Sequence, residues 1–299
     1  MATPKPTIIL VHGAWHSPEH FQPLEKALHS NGYRTVSPWL PSMHYARLNV
    51  PPVSSIDDDV SAVRQTILSE LDTRPDTDVV LLAHSYGTAP AGSATEGLDK
   101  SSRTQTGHHS NGVTALLIIS GLLAPAGISL LDWGGGQVPP TMVLSSMPSP
   151  VDPTKEIKLC SPVPDPGPVA LFYHDLAERD APAAQRYASL CTPQVWVAHR
   201  TPLPFTPWTP AAWLQSGLEV FYLVCEDDKA LPAPFQRLMI QAVDKEVAAA
   251  REDAGTAAGN EAPERKIRVT SINSGHCPFL SLVEETVLWV RRCCGEEDV

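Results

Sequence analysis

The stretch that decides the fold is DVVLLAHSYGTAPAGSATEG, residues 78–97. Its first part, Asp78–His84, is built on the apolar run Val79–Ala83, which reads as a buried strand. Its second half is built from small residues and reads as a tightly packed helix. The junction is Ala83-His84-Ser85-Tyr86-Gly87. A serine held on a sharp strand-to-helix turn projects its Oγ above the sheet, and small flanking residues are needed to make that turn. The amide after the serine then points at a developing oxyanion near a helix N-terminus. The usual pattern for such a turn is G-x-S-x-G; here alanine occupies its first position. An ordinary turn with a capping serine is the plainer alternative. The preceding strand and Gly87, Ala89, Ala91 and Gly92 after the serine favour the nucleophile.

Upstream, Thr7–Gly13 (TIILVHG) is another apolar strand running into a loop, His12-Gly13-Ala14-Trp15. Glycine there lets backbone amides approach a ligand, and the N–H of Ala14 is the candidate second oxyanion donor. His12 and His16 are four residues apart, but the segment is not helical and no third ligand follows, so no metal site is expected. Residues 18–31 and 56–72 carry helical spacing, the latter with Asp57, Asp58 and Asp59 in its first turn. Further strands are expected at Tyr33–Ser37, Val113–Ser120, Leu218–Cys225 and Ile267–Ile272, and helices near 232–250 and 278–292. Residues 39–54 read as loop, and 100–112 and 251–265 as polar surface insertions.

Strands alternating with helices imply an α/β fold with a mostly parallel sheet of about six strands. Residues 125–217 lose that alternation and read as a helical cap inserted after the fourth core strand. The core then comprises 1–124 and 218–299. A cap so placed lies over the carboxyl ends of the strands, where open α/β sheets bind ligands.

A serine nucleophile needs a base and an orienting acid. Ser274-Gly275-His276-Cys277-Pro278 follows the sixth core strand and makes His276 the best-placed histidine of 11. Glu226, Asp227 and Asp228 follow the fifth strand and are all candidate acids. Trp15 flanks the oxyanion loop and is the candidate substrate contact. Trp133, Phe172, Trp196, Phe205, Trp208 and Trp213 are weaker candidates, since aromatics so spaced more often pack a core.

These pieces resemble the α/β-hydrolase superfamily, and more narrowly the small serine esterases that include plant methyl esterases, hydroxynitrile lyases and their fungal and bacterial relatives. The matching stretches are LVHGAWH (10–16), LLAHSYGT (81–88), YLVCEDDKALPAPFQRLMI (222–240) and SGHCPFLSLVEE (274–285). The resemblance implies Ser85 as nucleophile, His276 as base, and Asp228, which precedes Lys229 in a D-K-x-x-P stretch, as acid. Ala14 and Tyr86 would supply the oxyanion amides. The lyase branch typically carries Glu before the serine, Thr before the first loop and Lys after the histidine. His84, Val11 and Cys277 stand there instead, which disfavours cyanohydrin cleavage.

The expected activity is hydrolysis of a carboxylic ester, lactone or thioester of a fairly apolar small molecule, with no cofactor. The same triad also serves acyl transfer, cyclisation or carbon–carbon cleavage in natural-product pathways, and a non-catalytic receptor is a reading of another class. The net charge of −11 makes nucleic acid an unexpected partner. No apolar run approaches the ~18–20 residues of a membrane span. With no secretory signal legible and six cysteines in no framework spacing, free thiols and a cytoplasmic protein are expected.

Overall fold

The computed structural model describes residues 4–106, 110–253 and 267–296. Among the described residues, nine strands form two sheets. β1 (Thr7–Val11), β2 (Arg34–Val36), β3 (Val79–His84) and β4 (Val113–Ile119) precede the inserted segment. That segment holds β5 (Met142–Pro148), β6 (Glu156–Pro162) and β7 (Gln194–Val195), and β8 (Glu219–Cys225) and β9 (Arg268–Ile272) follow it. The six core strands run parallel in the order β2-β1-β3-β4-β8-β9. β1 and β3 are buried at every position, as parallel strands covered on both faces must be.

The strand order fixes where a ligand can sit. From β1 the chain goes to one side, to β2, and then crosses to the other, to β3. Connections on opposite sides leave a crevice at the carboxyl ends of these two neighbours. Val11 pairs with Ala83, so the two loops that open there, His12–His16 and Ser85–Gly87, begin side by side.

Three features depart from expectation. Residues 39–54 contain a helix, Pro41–Leu48, with proline in its first turn and Asn49 in the left-handed conformation at its end. The stretch read as a polar surface insertion carries the helix Lys100–Gln105, and two of its polar side chains are buried. Arg103 Nε donates to Asn111 O, and Asn111 Nδ2 donates to the carbonyls of Leu71, Arg74 and Thr77, tying the segment to the end of the helix Asp57–Thr73 and the turn after it. His108 and His109 lie outside the described residues, as do 254–266 of the second insertion. Finally, the inserted segment has short helices such as Gly167–Phe172 and Ala181–Ser189, but also the antiparallel sheet β5-β6-β7.

The six cysteines are free thiols. Among the described residues, no helix is long and apolar enough to cross a membrane.

Candidate active site

Ser85 begins the turn after β3 with φ +51, a left-handed backbone that a non-glycine residue seldom adopts. Every residue from Val79 to Thr95 is buried except Ser85, so the turn presents this one side chain and hides its neighbours. The turn is held from both sides. An added Cβ on Gly87 would stand 2.5 Å from His12 O and 2.6 Å from Val11 O. One on Gly13 would meet the His84 ring at 2.8 Å and Ser85 Cβ at 3.0 Å. The glycines therefore let the β1 loop and the serine turn pack backbone to backbone.

His276 sits in the loop after β9. Its Nδ1 lies 2.7 Å from Asp228 Oδ2, and both side chains are almost wholly buried. Of the three acids after β8, only Asp228 turns inward. Its Oδ1 accepts from the amides of Ala230 and Leu231, both at 2.8 Å, and Oδ2 accepts from Gln236 Nε2 at 3.1 Å as well as from His276. Asp227 faces outward to Lys229 and His174, which hold its carboxyl below the usual range. Glu226 pairs with Arg237. The two loops are stitched together where Asp227 N donates to Ser274 O. The inserted segment braces them, because Asp175 Oδ2 accepts from Gly275 N and from Ser281 Oγ.

A cavity of about 510 Å³ brings Ser85, Tyr86, His276, Ala14 and Trp15 together. Of the weaker aromatic candidates, Trp133, Phe172 and Trp196 also line it, while Phe205, Trp208 and Trp213 do not. Trp208 instead packs against Gly92 and donates from Nε1 to Ala124 O. Trp15 adopts φ +65, stacks on Phe172 and donates from Nε1 to Cys160 O, so its indole is a fixed wall. Leu130, Leu131, Met142, Leu231 and Phe235 complete an apolar lining that the sequence reading did not include. His199, Gln236 and Asp175 were likewise missed. Gln236 was within reach, since it falls in the quoted stretch after β8.

Behind the cavity lies a file of buried histidines. His84 is turned away from it; its Nε2 lies 3.1 Å from His276 O, and its ring is 4.6 Å from that of His276. Burial, reinforced by the neighbouring His276 and His16, pushes the His84 pKa well down, so the ring supports His276 as a neutral group. His12 does not join His16 as a ligand pair; it faces Gly13 O and the Leu40 amide. His16, His84 and Cys277 do converge, yet His16 Nε2 is engaged by the Tyr173 hydroxyl at 2.9 Å.

Beneath Tyr86 lies a carboxylate that sequence reading treated only as a helix-dipole acid. Asp59 is fully buried and accepts from Ser42 N, Ser42 Oγ and Tyr86 Oη at 2.6–2.8 Å. Burial raises its pKa to about 6 despite these bonds. The folded value thus exceeds the unfolded one of about 3.9, and the folded state binds the proton more tightly. This contribution is present below about pH 4 and is lost as the pH rises through about 6. Two units correspond to on the order of 3 kcal/mol. Relative to Asp59→Asn, the wild-type protein is expected to lose stability of that order between about pH 4 and pH 7, read from urea denaturation midpoints. Parallel pH profiles for the two proteins would refute the assignment.

The sequence model of the alpha/beta hydrolase family matches residues 8–287. The chain belongs to that family. This hydrolase is also similar to an alpha/beta hydrolase, nvfD, of the fungus Aspergillus novofumigatus, with 30% identity over 98% of each chain. Solved structures share its fold. Polyneuridine aldehyde esterase superposes with a TM-score of 0.65 at 17% identity, covering 97% of this chain and 99% of that one. The pyrethroid hydrolase PytH gives 0.65 at 20% identity over 97% of each. A methylesterase from Arabidopsis gives 0.63 at 15% identity, covering 96% of this hydrolase and 98% of that protein.

Proposed function

We propose that this hydrolase cleaves a carboxylic ester, or a related lactone or thioester, of a fairly apolar small molecule through Ser85, His276 and Asp228. The observation that carries the reading is one cavity lined both by Ser85, the one residue of the β3 turn that is not buried, and by a histidine locked onto a buried carboxylate. Asp228 is an acceptor, so His276 Nδ1 carries the proton and Nε2 keeps its lone pair. Nε2 takes the Ser85 proton as Oγ attacks the carbonyl carbon. Asp228 stabilises the imidazolium that forms. The amides of Ala14 and Tyr86 receive the oxyanion, an arrangement in which one donor is typically worth ~10²–10³ in rate. His276 then protonates the leaving alcohol. Water, deprotonated by the same Nε2, releases the acyl group and restores the serine. The apolar walls, with Trp15 fixed in place, suit a bulky aryl or alicyclic group.

A fluorophosphonate probe is expected to label Ser85 stoichiometrically, located by peptide mass spectrometry, with Ser85→Ala unlabelled. Bulky aryl esters are expected to exceed short-chain acetates in kcat/KM. Folded protein that takes up no label at Ser85 would overturn the nucleophile, and faster turnover of acetates would overturn the substrate class.

A further inference from the structure

A directed chain of hydrogen bonds runs from Asp59 into the wall of this cavity. The Asp59 carboxylate, ionised at pH 8, only accepts, so Ser42 spends its hydroxyl proton on Oδ2 at 2.6 Å. Ser42 Oγ then has only acceptor capacity left, and what faces it at 3.0 Å is the amide nitrogen of Gln194. That orientation leaves the Gln194 carbonyl as an acceptor, 2.8 Å from His199 Nε2. Nε2 must therefore carry the imidazole proton. Burial lowers the His199 pKa to about 4, so the ring is neutral and Nδ1 is a bare lone pair.

His199 lines the cavity together with Ser85 and Tyr86. Its ring stacks on Trp196 and lies 5.2 Å from the Tyr86 ring. Three other buried polar groups in the lining are engaged within the protein: Tyr86 Oη by Asp59, Trp15 Nε1 by Cys160 O, and His276 Nδ1 by Asp228. Two parts of the chain build the device, since Asp59 and Ser42 precede β3 whereas Gln194 and His199 belong to the inserted segment. A buried chain of four polar groups that ends on a cavity wall has a use if the last group meets a ligand.

We infer that His199 Nδ1 is a fixed hydrogen-bond acceptor for the substrate, which places a hydroxyl or N–H donor on the otherwise apolar molecule. Ethers and plain hydrocarbons of the same shape lack that donor and leave Nδ1 unpaired. His199 takes no part in the acyl chemistry; it selects and orients. This extends the ester-hydrolase reading by adding a substrate feature, and it is tested by binding rather than by turnover.

The test uses full-length Ser85→Ala protein at pH 8, titrated calorimetrically with naphthol and phenylphenol isomers, each against its own methyl ether. At least one alcohol is expected to bind about tenfold more tightly than its ether, the scale of one net hydrogen bond. In Ser85→Ala/His199→Phe that ratio is expected to fall to about one. In Ser85→Ala/Gln194→Leu the tautomer is no longer fixed, and the ratio is expected to fall while ether affinity holds. Nitrogen-15 spectra of labelled histidine should show His199 protonated at Nε2, and that signature should be lost with Gln194→Leu. No alcohol preference in any isomer, a preference that survives His199→Phe, or an Nδ1-protonated ring would each overturn the inference. An active esterase can fail this test and an inactive one can pass it, so the two readings are separable.

Discussion

Asp228→Asn is expected to lower kcat by about 10⁴ with KM little changed, whereas Asp227→Asn leaves both near wild type. The size follows from the hydrogen bonds around the carboxylate. Two backbone amides, Ala230 and Leu231, donate to Oδ1. An asparagine must keep its carbonyl oxygen there, which puts its NH₂ where Oδ2 stood. His276 Nδ1 then faces a donor at 2.7 Å. The ring turns to the tautomer with Nδ1 bare and Nε2 protonated, and a protonated Nε2 cannot take the proton of Ser85. Geometry survives while the base is lost, so kcat rather than substrate binding should change. Asp227 supplies the control because it is half exposed and pairs with Lys229 and His174 at the surface. Steady-state kinetics on an aryl ester decides the matter. A loss below tenfold for Asp228→Asn, or an equal loss for Asp227→Asn, would remove Asp228 from the proposed triad.

The core was legible because each of its signals is local. Apolar runs of five to seven residues give β1, β3, β4 and β8, and the residues that end those runs are the ones the crevice collects. Alanine in place of the first glycine of the serine motif fits the strand end, since Ala83 is buried with its neighbours on β1 and β4 in register. What was not legible depends on distant partners. Asp57, Asp58 and Asp59 look equivalent at a helix start, yet only Asp59 is buried, because Ser42 and Tyr86 come to it from elsewhere in the chain. The helix Pro41–Leu48 was masked by its proline and serine content, which read as loop but serve as a helix start. In the inserted segment, β5 is mostly exposed, so neither alternation nor an apolar run announces it. His199 carries no motif at all. Its significance appears only when the proton order from Asp59 is followed through Gln194.

Gly87→Ala is the second large effect expected. The added methyl would lie 2.5 and 2.6 Å from two carbonyl oxygens of the β1 end, and backbone cannot swing aside as a flexible side chain does. Relief requires the serine turn and the loop carrying Gly13 and Ala14 to move apart. The stability cost is about 1–3 kcal/mol or more, as for other overpacked cores. The catalytic cost should be larger in proportion. The amides of Ala14 and Tyr86 sit on the two pieces being separated, and a misplacement near 1 Å can cost ~10² in rate. Gly97→Ala provides the contrast. Gly97 has φ +67 with nothing within 4 Å of a new Cβ, so alanine there pays only for its backbone conformation, about 1–2 kcal/mol. Both variants are therefore expected to melt several degrees early, but only Gly87→Ala should lose about two orders of magnitude in kcat/KM below its melting temperature. If Gly87→Ala were as active as Gly97→Ala, the close packing of these two loops would not be what sets the oxyanion geometry.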